Sequence, residues 1–109
     1  MAQFVQEGDS IDYTPGADVA AGAVVVQNDL VGVAVRPIPA NTLGSLVVEG
    51  VLDFPKSTAG GSAIAAGITV YWNAGAQQAT ATSAGNPLLG QVTRAAADAD
   101  ATVRVRMYQ

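Results

Sequence analysis

The sequence predicts an all-β fold, a compact β-barrel or sandwich of about eight short strands built from two pseudo-repeated halves, with little or no helix. Three observations carry that expectation. A module is written twice: Val19-Ala20-Ala21-Gly22, followed by the apolar run Ala23-Val24-Val25-Val26, returns 45 positions later as Ile64-Ala65-Ala66-Gly67 followed by Ile68-Thr69-Val70-Tyr71. The partner run Leu30-Val31-Gly32-Val33-Ala34-Val35-Arg36 returns as Leu88-Leu89-Gly90-Gln91-Val92-Thr93-Arg94. Finally, Thr102 to Tyr108 alternates cleanly, with Val103, Val105 and Met107 to one side and Arg104, Arg106 and Tyr108 to the other. Duplicated hairpins favour a barrel over a sandwich.

Taken in order, Ser10 to Thr14 alternates as a short strand and is stopped by the turn pair Pro15-Gly16. Val24–Gln27 and Leu30–Val35 are separated by Asn28-Asp29, residues that tolerate the positive backbone angles of a two-residue hairpin. Leu30–Val35 is apolar without a break, as in a strand covered on both faces, and Gly32 marks a close backbone approach or a bulge. Pro37 and Pro39 end that strand. Leu43–Phe54 reads as one long strand bent at Gly50 and stopped by Pro55, with Leu46, Val48, Leu52 and Phe54 on one face and Glu49 and Asp53 on the other.

Lys56 to Gly61 reads as an exposed, flexible, glycine-rich loop, and Ser62–Ala66 as at most one helical turn capped by Ser62 and ended by Gly67. Ile68–Trp72 is a strand by its β-branched and aromatic content, and Gln77–Thr82 alternates weakly. Leu88–Thr93 is the second copy of the apolar strand. Ala95–Ala101 is rich in alanine but carries Asp98 and Asp100 and stands where the first copy has its double-proline loop, so it reads as a loop.

A chain of 109 residues is expected to form one domain, residues 1–109, with residues 1–8 as an N-terminal arm. Charged residues make up only 13% of it, which suits a surface made for contact with other proteins. With Lys56, Arg36, Arg94, Arg104 and Arg106 as its only basic side chains and a net charge of -4, the chain lacks the basic stripe that phosphate contacts require, so no nucleic-acid partner is expected. No apolar run approaches the length of a membrane span and no signal core opens the sequence, so neither a membrane partner nor export is expected. Cysteine and histidine are both absent, which removes disulfides, thiolate metal sites and the commonest general base.

Catalytic constellations are correspondingly thin. Pro55-Lys56-Ser57-Thr58-Ala59-Gly60-Gly61 lacks the glycines that must precede the lysine of a phosphate loop. Glu7, Asp9 and Asp12, like Asp98 with Asp100, are too few and wrongly spaced for a calcium loop. Glu49 and Asp53 would lie about 13 Å apart along a straight strand, too far for a paired-carboxylate hydrolase. No catalytic residue, cofactor or metal is expected. Tyr71 and Trp72 are adjacent on a strand and face opposite ways, so one of them is expected to point outward, with Trp72 a candidate interface anchor.

Phe4-Val5-Gln6-Glu7-Gly8-Asp9-Ser10-Ile11-Asp12-Tyr13-Thr14-Pro15, Val19-Ala20-Ala21-Gly22, Leu30-Val31-Gly32-Val33-Ala34, Val48-Glu49-Gly50-Val51-Leu52-Asp53-Phe54-Pro55-Lys56 and Val70-Tyr71-Trp72 follow one another along nearly the whole chain. Together they resemble the small capsid cement, or decoration, proteins of tailed phages, a family also catalogued as a domain of unknown function and sometimes under a recombinase label. The recombinase label has no support in a chain without a Walker-type loop.

The resemblance implies a structural virion protein, made in the host cytoplasm, that sits on the outer surface of an expanded phage head. Its implied partners are the major capsid protein and itself, as a homotrimer, at the junctions between capsid subunits. By the same analogy the arm Ala2 to Gly8 adds a strand to a sheet edge on the capsid. The candidate capsid or protomer interface is thus Ala2, Gln3, Phe4, Val5 and Gln6 of the arm, with Trp72, Arg104, Arg106 and Tyr108. Two other readings compete: a head-fibre or tail component, and a soluble carbohydrate-binding barrel with Trp72 as a stacking platform.

Overall fold

A computed structural model describes residues 10–109, so the expectations for the arm, Ala2, Gln3, Phe4, Val5 and Gln6 included, lie outside the described residues. Nine strands follow one another with no helix among the described residues: β1 (Ser10–Tyr13), β2 (Val24–Gln27), β3 (Leu30–Val33), β4 (Gly44–Val47), β5 (Glu49–Pro55), β6 (Thr69–Asn73), β7 (Gln78–Thr80), β8 (Leu88–Arg94) and β9 (Thr102–Tyr108). They form two antiparallel sheets, one of four strands in the order β1-β4-β3-β2 and one of five in the order β5-β9-β8-β6-β7. Neither sheet closes, so of the two predicted architectures the fold is the sandwich, not the favoured barrel. The edges of the larger sheet come together only at one isolated parallel bridge, Lys56 to Ala79.

The duplication in the sequence is a duplication of topology. Each half builds a sheet whose first strand (β1, β5) pairs with its last (β4, β9), which pairs with the repeated apolar strand (β3, β8), which pairs with the strand after the Ala-Ala-Gly module (β2, β6). Among the described residues, β7 alone has no counterpart.

The module itself folds identically twice. Val19 and Ile38 exchange two backbone hydrogen bonds, as do Ile64 and Ala96. The N–H of Gly22 donates to the Ala34 carbonyl, and that of Gly67 to the Val92 carbonyl. At Gly22 and Gly67 φ is 84° and 87°, a left-handed conformation that an L side chain would strain. This is why both copies place a glycine there; Ser62–Ala66 forms no helical turn because the backbone of Ala63 and Ile64 bonds to Asp98 and Ala96 of the neighbouring loop instead.

The two-residue hairpin at Asn28-Asp29 is as predicted, with Gln27 opposite Leu30 and Asn28 at φ 56°. The expected single strand over Leu43–Phe54 is two strands in different sheets. The chain leaves the smaller sheet after Val47 and enters the larger at Glu49, with buried Val48 between them and Gly50 at φ 147°. Such a corner lets one chain segment serve both layers of a sandwich. Alternation survives the corner, so Leu46, Val48 and Phe54 are buried and Leu52 is half-buried, while Glu49 and Asp53 are exposed.

The main core gathers Phe54, Ile64, Val70, Trp72, Ala79, Leu89, Val92, Ala96, Val103, Val105 and Met107 of the second half, with Val31 and Val33 of β3 packed onto it. A smaller cluster, Ala34, Ile38 and Leu46 with Ile11, Tyr13, Val19 and Val25 around it, covers the other face of β3. That strand is therefore covered on both sides, as its unbroken apolar run predicts, although it ends at Val33 and leaves Val35 54% exposed.

Candidate surface and its supports

Trp72 is only 1% exposed, its ring tilted against Phe54 with centroids 6.0 Å apart. It anchors the core, and this corrects its assignment as an interface anchor and removes it as a sugar-stacking platform. Tyr71 is the half-buried member of the pair. Period two states that adjacent residues part company but not which of them goes inside, and here the small Ala79 opposite Trp72 leaves room for the indole. The indole Nε1 is buried without a hydrogen-bond partner.

Arg104 and Arg106 lie on the outer face of β9, as the alternation predicts. Arg104 is not a free charge: its Nε and Nη2 reach the two carboxylate oxygens of Asp53, directly across on β5, at 3.0 and 3.3 Å. The Arg104 hydrogen bond holds the Asp53 carboxyl below the ordinary carboxylate value and raises the guanidinium in return. Arg106 lies over the ring of Tyr108 at 5.5 Å. Tyr108, Tyr71, Pro87 and Leu88 line a shallow, mainly apolar groove beside this pair, with Asp29, Asn86 and Gln109 at its margins. Tyr108 is a candidate that the sequence names, and Tyr71 is the less buried of the adjacent pair of which one was expected outward, whereas Leu88 is turned outward by a bulge that has no local signature.

A second apolar surface lies at the far end of β3, where Leu43, 67% exposed, and Val35 flank Pro37 and Arg36. Val51, on the outer face of β5 opposite Arg106, is also exposed. Isolated exposed apolar residues are ordinary, but so many on a lightly charged domain describe a surface suited to protein contact.

The Lys56 loop differs most from expectation. Lys56 is 4% exposed, not a solvated loop residue. Its Nζ donates to the carbonyls of Ser57, Ala97, Asp98 and Asp100 at 2.6 to 3.2 Å and to Ser62 Oγ at 3.3 Å. The ammonium pins the 57–62 connection to the 97–100 loop, and the expected flexible linker is a fastened one. Asp98 completes the clasp by accepting from the Ala63 N–H at 2.7 Å. That bond, with further backbone N–H groups of Gly61 and Ser62, lowers its pKa.

The first half has the same clasp with its polarity reversed. There Asp18, at the position matching Ala63, accepts from the N–H of Ala40, which matches Asp98, at 2.8 Å. One carboxylate thus ties the same two loops in both halves, supplied from opposite sides.

Nothing in this arrangement gathers reactive groups. Among the described residues no three carboxylates converge on a point that could hold a metal, and Lys56 is committed to carbonyls. No curated protein and no solved structure matches the chain. The profile of one family does, described as phage cement protein and matching residues 5–107. A match over nearly the whole chain, on a domain whose polar groups fasten loops and whose exposed apolar side chains face outward, places this protein in the phage cement protein family, structural proteins that stabilise the phage capsid.

Proposed function

We propose that the protein binds the outer surface of an expanded phage head as a homotrimer and cements adjacent major capsid protein subunits against internal pressure. The observation that carries this reading is the family match over residues 5–107. The structure supports it through its economy. A cement must fold without disulfides, hold its shape under load and offer area for burial against neighbours. Two sheets joined at a shared core supply the stiffness, and Leu43, Val35, Val51 and the Tyr71–Leu88–Tyr108 groove supply apolar contact area.

Within this reading Arg106 and Tyr108 are capsid-facing or protomer-facing groups, since the cation and the ring present one flat, desolvatable unit. Arg104 contributes through its pairing with Asp53. The test is to mix the purified protein with expanded, cement-free heads and count bound copies after sedimentation. Saturation at a copy number matching the lattice, with heads that then survive heating, is the expected result. Absence of binding to such heads would refute the reading.

A further inference from the structure

Four strands form the edges of the two sheets, and three of them are guarded. Strand β5 carries Glu49 and Asp53 and ends in Pro55, and β7 is three residues long and touches the Lys56 end of β5 at its bridge. Strand β1 carries Asp12 at its middle. Charge, proline and shortness are the usual means of keeping an edge unpaired. Strand β2 reads Val24-Val25-Val26-Gln27, without charge, proline or bulge.

The internal repeat shows what belongs there. In the second half the strand equivalent to β2 is β6, and its outer edge is covered by β7, Tyr71 against Thr80, Trp72 against Ala79 and Asn73 against Gln78. No strand fills that place beside β2 among the described residues. Gln27 and Leu30 close the two-residue hairpin as a hydrogen-bonded pair, so the N–H and C=O of Val26 point away from β3. The Val31 N–H confirms that register, since it turns from β2 to bond Gln109 Oε1.

We propose that this edge receives residues 3–6 of a second copy of the chain as an antiparallel strand, in the place that β7 takes beside β6. Gln3-Phe4-Val5-Gln6 is uncharged like the edge it meets, and like Gln78-Ala79-Thr80 it opens on a glutamine. Residues 7–9 join that segment to β1 and span up to about 10 Å when extended, so the contact sets β1 of the donor copy close to β2 of the acceptor. They leave from β1, which is the opposite edge of the same four-stranded sheet. Donor and acceptor therefore lie on opposite edges of the sheet in each copy, a head-to-tail arrangement that forms a ring where the rotation between copies closes. This contact rests on the self-association proposed above and supplies its physical basis.

The absence of cysteine makes a clean test available. Phe4→Cys and Val5→Cys, each mixed under mild oxidation with Val26→Cys, are expected to give a disulfide-linked pair of chains, both free and on heads. Val26→Pro removes the outward N–H without taking a bond from β3, and is expected to reduce the free protein to a single-chain mass while leaving its unfolding midpoint nearly unchanged. Cross-links absent under both conditions, cross-links only within one chain of a doubly substituted variant, or cross-links only to capsid subunits would each overturn the proposal. Head binding by protein that forms no such cross-link would leave the cement function standing and remove only this contact.

Discussion

In the second half of the molecule β8 runs beside β9 from Gly90 against Met107 to Arg94 against Arg104, whereas the equivalent strands β3 and β4 of the first half share a single register pair, Val33 with Val47. The difference arises at Val48. There the chain turns out of the smaller sheet to become β5, and the residues that would have continued alongside β3 pair with β9 instead. Val31 is left with an N–H and no strand to meet it. Gln109, beyond the end of β9, takes the place of that strand: its Oε1 accepts from Val31 at 3.0 Å while its Nε2 donates to the carbonyls of Leu88 and Leu89. The second half thus completes its own sheet, and the first is completed by a side chain from the second. Identical topology does not imply equal independence.

The two halves are expected to differ most at the matching glycines Gly90 and Gly32. A Cβ on Gly90 would sit 2.0 Å from the Arg106 carbonyl oxygen, which is backbone and cannot yield without parting β8 from β9. Gly90→Ala is expected to cost about 4 kcal/mol or more, leaving little folded protein in a denaturation series. A Cβ on Gly32 would meet Leu46 Cβ at 2.8 Å and Cδ1 at 3.1 Å; rotation can move the Cδ1, but the Cβ yields only by a small shift of β4, a milder conflict than the backbone overlap at Gly90. Gly32→Ala is expected to cost about 1–3 kcal/mol in the same series. Equal losses would mean that the two sheets carry equal weight.

The two clasps are expected to differ as well. Lys56→Met keeps the stem but leaves the carbonyls of Ser57, Ala97, Asp98 and Asp100 without their donor, an expected loss of about 3 kcal/mol by urea titration. Asp18→Ala, which removes only the single bond to Ala40 in the first half, is expected to cost about 1 kcal/mol. Gln109→Ala leaves Val31 without its acceptor, and a fall of about 1–2 kcal/mol with faster exchange of the Val31 amide is expected.

Acid has the smallest effect. The folded-state pKa of Asp98 lies below its ordinary value of 3.8 because backbone N–H groups, Ala63 first, bond its charged form. Its contribution is therefore present above that ordinary value and lost as pH falls through the lower, folded value. Asp53, lowered by Arg104, behaves likewise. Melting temperature is expected to fall below about pH 4, and Asp98→Asn to flatten part of that slope.

These contrasts also mark how far the sequence could be read. The repeat, the Asn28-Asp29 hairpin, the two-sided cover of Leu30–Val33 and the inward row Val103, Val105 and Met107 were legible because each is written in neighbouring residues. The corner at Val48 was not, since alternation runs straight through it and a strand that changes sheets keeps the same period. Closure was not legible either, because whether two sheet edges join depends on their curvature, and here they touch only at Lys56 and Ala79. The glycine-rich surroundings of Lys56 point to solvent, but three of its carbonyl partners come from residues more than forty positions away. Of the candidate surface, Arg106 and Tyr108 are on the outside as expected, while Trp72 is core.

Native-state amide hydrogen exchange, resolved by residue, tests the unequal dependence of the two halves most directly. Strands β6, β8 and β9 should exchange only through global unfolding, with β1 and β2 opening well below that limit and Val31 slower than its neighbours on β2 until Gln109 is replaced. Protection that is uniform across the two sheets, or greatest in β2, would contradict the account.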